Sequence, residues 1–230
     1  MIDQSALESV LRARLPGFET LEACERLSAG ASRETYRLVA QVKGRERMMA
    51  LRYAPDEGVS AMRQGPGLEV EAKLFAAALP ARVPGPEVLL VLEPGDRMGS
   101  GFIMEWIEGE TLGARIARSG EFKDARKTLA YQCGEILGRL HAIDIDAEHL
   151  DGDLESFTPE HAVRKTHAAY LELETPQPMI DFTAKWLLDN LPKKRRLGLV
   201  HSDFRNGNLI VHPKKGVVAV LDWELAHIGD

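Results

Sequence analysis

The chain has 230 residues, of which 44% are hydrophobic and 28% charged, and a formal net charge of −6. That length suffices for one large domain or two lobes, and the composition is that of an ordinary globular protein. The acidic balance leaves no nucleic-acid footprint, no apolar run has the length of a membrane span, and Cys24 and Cys133 are too far apart for a Cys/His metal spacing. A reduced, cytoplasmic setting is expected, with no membrane or nucleic-acid partner.

The N-terminal segment is amphipathic and mixed in charge, unlike a signal peptide. Ser5 with Glu8 three residues on reads as a capping box, and Leu7, Val10, Leu11 and Leu15 share one helical face before Pro16-Gly17 ends the helix. Strand-like segments follow at residues 21–28, 34–42 and 45–53, the last two joined by Lys43-Gly44 as a hairpin. The loop between the first two is short and small, and Ser28, Gly30 and Ser32 could offer backbone N–H groups to a phosphate. Against a G-x-G-x-x-G template its slots hold Ser28, Gly30 and Arg33, so a single glycine fits and an ordinary hairpin loop fits as well. Arg52 ends the third segment, where either a phosphate-holding cation or a surface arginine could stand.

Residues 67–79 read as a helix stopped by Pro80. Glu71 shares a face with Leu74, Phe75 and Ala78, whereas Glu69 shares one with Ala72, Lys73 and Ala76. A carboxylate on the packed side needs a cation, so Glu71 is the expected partner of Arg52. Strands are expected at 88–92 and 101–107, with a turn at Pro94-Gly95-Asp96. The first half is thus sheet-rich and the second helix-rich, an α+β chain in two lobes. The boundaries fall at 1–104 for the N-terminal lobe, 105–111 for a hinge and 112–230 for a helical lobe, with the ligand crevice between the lobes.

Helices are expected at 123–142, 157–174 and 179–191. Leu129, Cys133, Ile136, Leu137 and Leu140 give the first of these a buried stripe, and His141 suits its C-terminal end. Glu160, His161, His167 and Glu172 lack the spacing of a metal site, and the run Lys193 to Arg196 reads as a solvated loop.

The densest chemistry lies between His201 and Asp222. Asp203 precedes Asn208 by five positions, and strand-like runs at 209–212 and 217–221 are joined by Pro213-Lys214-Lys215-Gly216. A hairpin there brings Asn208 and Asp222 to one point, as two oxygen donors for Mg²⁺. Asp203 remains to receive a proton from a hydroxyl, the phosphoryl-transfer pattern of an Asp followed by Asn and then a metal-binding Asp.

HSDFRNGNLIV followed by VLDWE resembles the aminoglycoside phosphotransferase family, the small-molecule branch of the protein-kinase-like fold. The likeness extends upstream through LSAGASRETYRL, ALRY, EVEAKLFAAAL and FIMEWIEGETL, and so covers most of the chain. It implies an antiparallel-sheet, nucleotide-binding N-lobe over a mainly helical C-lobe, and an ATP- and Mg²⁺-dependent kinase acting on a hydroxyl of a small molecule. Asp203 would be the catalytic base or a hydroxyl-orienting carboxylate, His201 would shape the catalytic loop, and Arg205 would lie near the transferred phosphate or serve as a packing or salt-bridge arginine. Asn208 and Asp222 would hold the metal, and Arg52 with Glu71 the phosphates. The loop with Ser28, Gly30 and Ser32 would cover the nucleotide, and backbone groups around Glu105 to Ile107 would meet its base. Three departures stand out: Ser202 where many members have Gly, Arg52 in place of lysine, and Asp222-Trp223-Glu224 in place of Asp-Phe-Gly. The chain also reads as cut in mid-domain at Asp230, which would leave the acceptor half outside it. A nucleotide-binding regulatory module without catalysis is the alternative, whereas a P-loop or Rossmann enzyme lacks its motif.

Overall fold

Two-residue alternation builds the N-terminal half. The computed structural model describes residues 2–29, 33–54 and 65–230. Strands β1 (Phe18–Ala29), β2 (Glu34–Val42), β3 (Arg45–Ala54), β4 (Val88–Val91) and β5 (Ser100–Glu105) form one antiparallel sheet in the order β1-β2-β3-β5-β4. On β3, Met49, Leu51 and Tyr53 point to one face, where they pack with Leu7, Val10 and Leu11 of helix α1 (Gln4–Arg14). Ala50 and Ala54 point to the other, against helix α2 (Leu68–Ala78) and the second lobe. Arg52 has the parity of Ala50 and Ala54, so the pleat itself carries its guanidinium to the side facing the rest of the molecule.

The start of α1 differs from the capping-box reading. Asp3, not Ser5, is the N-cap: its carboxylate accepts from the backbone N–H groups of Ser5 (2.9 Å) and Ala6 (3.2 Å). A carboxylate also suits the positive end of the helix, and Ser5 falls inside the first turn.

The second lobe is mainly helical: α3 (Gly113–Arg118), α4 (Leu129–Leu140), α5 (Pro159–Leu171) and α6 (Pro178–Asp189). The single helix expected over 123–142 is shorter, because the chain first makes tight turns closed by three-residue hydrogen bonds, Lys127 N–H to Asp124 O and Thr128 N–H to Ala125 O. The guanidinium of Arg126 holds that turn by donating to the carbonyls of Ile116 (2.8 Å) and Ser119 (2.7 Å). Helix α5 begins two residues later than expected. Its N-cap is Thr158, with Pro159 at the first helical position, and the Phe157 N–H is spent on the carbonyl of Ile228.

Two small ribbons complete the lobe. The expected hairpin is present as β7 (Leu209–His212) and β8 (Gly216–Val220). Strand β6 (Gly198–Val200) pairs with β9 (His227–Gly229), a contact the sequence reading did not foresee. Between the lobes, Glu110 bridges to Val211 by hydrogen bonds in both directions (2.9 Å each). Gly109 permits this approach, since a Cβ there would lie 2.5 Å from the Ile210 side chain. A core of Ala50, Phe75, Phe102, Ile136, Leu209, Val220 and Trp223 joins the sheet, α2 and the helical lobe. The architecture is α+β and two-lobed, an antiparallel sheet over a helical base. Among the described residues no helix is long and apolar enough to cross a membrane.

The N-cap assignment is testable by urea unfolding. Asp3→Ala should cost about 1 kcal/mol, whereas Ser5→Ala should stay within about 0.5 kcal/mol of the parent.

Candidate active site

The site is built where β3, α2 and the β7–β8 hairpin converge. Helix α2 buries Glu71, Leu74, Phe75 and Ala78 on one face and leaves Glu69 exposed, as the periodicity requires. Glu71 is only 1% exposed. Arg52 Nη2 lies 3.3 Å from its Oε1 and 2.9 Å from Asp222 Oδ1, so one guanidinium spans both carboxylates. Arg33, at the foot of β2, donates from Nη1 to Glu71 Oε2 at 3.0 Å, and its other nitrogen reaches the carbonyl of Pro66. The same Nη1 stands 3.5 Å from Glu224. Burial pushes the Glu71 carboxyl up, against the pull of Arg52 and Arg33. For Arg52, burial works against the charged form, but Glu71 and Asp222 overcome it and raise the pKa.

Arg33 is the residue the sequence reading passed over: it filled a template slot and received no role. The only signal was a second cation beside the small-residue loop, and its partner lies 38 positions away. Of the loop itself, Gly30 and Ser32 lie outside the described residues, and Ser28 pairs with Thr35 across β1 and β2.

The hairpin register sets Leu209 opposite Val220, and Leu221 N–H donates to Asn208 O (2.8 Å). Asn208 and Asp222 therefore reach the same small cavity of ≈ 150 Å³, with Arg52, Glu71, Thr35 and Gly207 also in its wall. Met104 lines it too, whereas Glu105 and Ile107 do not; the Glu105 carboxylate faces Arg47 at 3.6 Å. Asn208 Nδ2 donates to the Asp203 carbonyl (2.9 Å) and to Asp203 Oδ2 (2.7 Å), which commits both amide protons and leaves the amide oxygen for a cation. Two hard oxygen donors, one neutral and one anionic, fit Mg²⁺ shared with phosphate oxygens. A cage made wholly of protein groups does not fit, because the described residues contain no cluster of three or more His, Cys, Asp or Glu side chains able to hold a metal ion.

Asp203 projects from the turn after β6. Arg205 Nε donates to both its oxygens (2.9 and 3.1 Å), so in this structure Arg205 is the salt-bridge arginine of the two roles considered. Desolvation would raise the Asp203 carboxyl, but the hydrogen bonds from Arg205 and Asn208 outweigh it and hold the group below its usual range. Ser202 has φ +67°, the left-handed region that glycine occupies without strain. The turn survives the serine, whose hydroxyl meets His227 Nδ1 at 2.9 Å. Asp222 is also left-handed, at φ +66°. It is followed by Trp223, fully buried, whose ring packs 4.7 Å from His201 and 6.2 Å from Phe75.

His201 is 1% exposed and joins the two halves of the site. Its Nε2 faces the Leu221 carbonyl at 3.0 Å and so carries the proton, while Nδ1 accepts from Asp203 N–H at 3.3 Å. Burial pulls its pKa below the usual value, so the ring is neutral.

A five-stranded sheet over helices, with an Asp–Asn–Asp set and a β3 cation tied to a helix glutamate, is the architecture of kinase-like phosphotransferases. Within that class, residues 23–230 match the model of the phosphotransferase enzyme family, and the chain belongs to it. It is 32% identical over its whole length to mouse acyl-CoA dehydrogenase family member 10, and 31% identical over 99% of its length to chicken acyl-CoA dehydrogenase family member 11. It spans only 21% and 29% of those two proteins. Among solved structures, one from Ralstonia eutropha JMP134, provisionally described as an aminoglycoside phosphotransferase, superposes with a TM-score of 0.81 at 24% identity, covering all of this chain and 67% of the other. A macrolide 2′-phosphotransferase type I gives 0.62 at 20% identity, covering 99% and 73%.

The neutral His201 makes a pH prediction. A histidine with a depressed native pKa binds fewer protons folded than unfolded, so its contribution is present above pH 6.5 and is lost as pH falls below it. Unfolding free energy should therefore fall from about pH 7.5 to about pH 5.5, and His201→Gln should flatten that slope, as read by urea titrations.

Proposed function

We propose that the protein is an ATP-dependent phosphotransferase that moves the γ-phosphoryl group to a hydroxyl of a small molecule. One observation carries this reading: Asn208, Asp222, Arg52 and Glu71, contributed by three separate elements, meet at one cavity beside Asp203. Asp203 aims the acceptor hydroxyl and takes its proton as the new P–O bond forms and ADP departs. The low carboxyl pKa keeps Asp203 ionised and ready for that proton. Arg52, fixed by Glu71, presents a permanent cation to the nucleotide phosphates. Asn208 and Asp222 would hold Mg²⁺, which when bound supplies charge neutralisation on the phosphates. Glu105 to Ile107 and the loop with Ser28, Gly30 and Ser32 are assigned to the nucleotide on family likeness. Arg205 screens Asp203 before the acceptor arrives and is free to turn to phosphate, being 61% exposed. His201 keeps the loop in register without touching substrate. The unpaired Cys24 and Cys133 suit a reducing, cytoplasmic setting.

The second reading, a nucleotide-binding module without catalysis, draws on one feature. The charged groups already pair with one another, Arg52 holding Asp222 and Arg205 holding Asp203. The dehydrogenase function named in the relatives is not carried over, since this chain spans less than a third of them.

Asp203→Asn separates the two readings. Transfer, followed as ADP release with a panel of hydroxylated metabolites, should fall by about 10²–10⁴-fold, with Mg·ADP still bound in calorimetry. Asp222→Ala should lose Mg²⁺-dependent ADP binding. Equal turnover by wild type and Asp203→Asn would remove Asp203 from its role, and Mg·ADP binding with no transfer by the wild type would leave the regulatory module as the surviving account.

A further inference from the structure

A second, larger cavity of ≈ 760 Å³ opens beside the catalytic loop, at Ser202. Gly207 and Asn208 line the small cavity and Ser202 the large one, so the loop that carries Asp203 contributes to both walls. The volume is that of a small-molecule site. One wall is the face of α5 bearing Ala162, Lys165, Thr166 and Ala169, spaced at i, i+3, i+4 and i+7. Phe157, Leu225, Ala226 and Pro66 supply further apolar lining.

The charges in this wall cancel. Lys165 Nζ sits 3.0 Å from Glu155 and 4.6 Å from the centre of the Phe157 ring. Asp153 is taken by Lys73 at 2.9 Å. Both carboxylates are thus paired, and among the described lining residues a polycation would find no carboxylate without a cation. The polar end is Ser202 with His227. His227 Nδ1 lies 2.9 Å from Ser202 Oγ and 3.2 Å from the Leu225 carbonyl. Whichever way that proton points, the Ser202 oxygen keeps one hydrogen-bonding position for an incoming hydroxyl.

We infer that this cavity is the acceptor site and that it takes an alcohol with a predominantly apolar body, in contrast to a polycationic aminoglycoside. This rests on the phosphotransferase reading for the word acceptor, but the ligand class stands on the cavity alone. Ser202 and His227 act as positioning residues that turn the hydroxyl toward Asp203, while the small residues of α5 leave room for an alkyl chain.

The test uses an eight-carbon alkanediol and kanamycin as probes, in saturation-transfer NMR and calorimetry on the full chain without nucleotide, with Mg·ADP titrated in parallel. The alkanediol should bind and kanamycin should not. Ala162→Trp, or Ala169→Trp should the first fail to fold, should weaken diol binding at least about tenfold by filling the cavity. Failure of the diol to bind, tighter binding of kanamycin, or diol binding unaltered in a folded tryptophan variant overturns the inference. Diol binding with no Mg·ADP binding supports the cavity as an alcohol site and instead overturns the phosphotransferase reading.

Discussion

A carboxylate with almost no access to water needs cations, and Glu71 has two. Taking a carboxylate out of water costs several kcal/mol unless partners compensate it. Here the partners come from different places in the chain, Arg33 from the foot of β2 and Arg52 from β3. Arg52 also reaches Asp222, past the end of the hairpin in the other lobe. One charge set therefore fixes the distance between the sheet, α2 and the hairpin. The placement of Arg52, Asn208 and Asp222 follows from it, because none of the three elements is joined to the others by a short loop.

An apolar lock works beside this charge set. Trp223 follows Asp222 directly and lies between His201 and Phe75. The aspartate is held in a left-handed conformation by a neighbour that cannot move without opening the core. His201 is tied to the same strand end through the Leu221 carbonyl. The polar side chains thus stand on a base that is rigid because it is packed.

Much of this was legible in the sequence, for identifiable reasons. The sheet could be read because alternation on β3 places apolar and polar residues on opposite faces. Glu71 could be chosen over Glu69 because a charge on an apolar helical face is anomalous and needs a partner. Asp203, Asn208 and Asp222 could be placed because their spacing and the hairpin turn are local. What stayed hidden was non-local or depended on fine competition. Arg33 gains meaning only through a distant glutamate. The β6–β9 pair joins three-residue segments far apart in sequence, too short for any period to show. At 123–142 the apolar stripe continues through Phe122 and Ala125, but side-chain bonds from Arg126 tighten the turns there. At α1 two capping residues competed, and Asp3 won with a charged acceptor.

The arginine at position 52 has a consequence for detection. A nucleotide mimic that carried an acylating group would mark the amine that protein kinases have on the third strand. A guanidinium is planar, permanently protonated and almost inert to such acylation. A mimic whose phosphates met Arg52 would leave no covalent mark there, so capture through an amine at this place would pass over this chain.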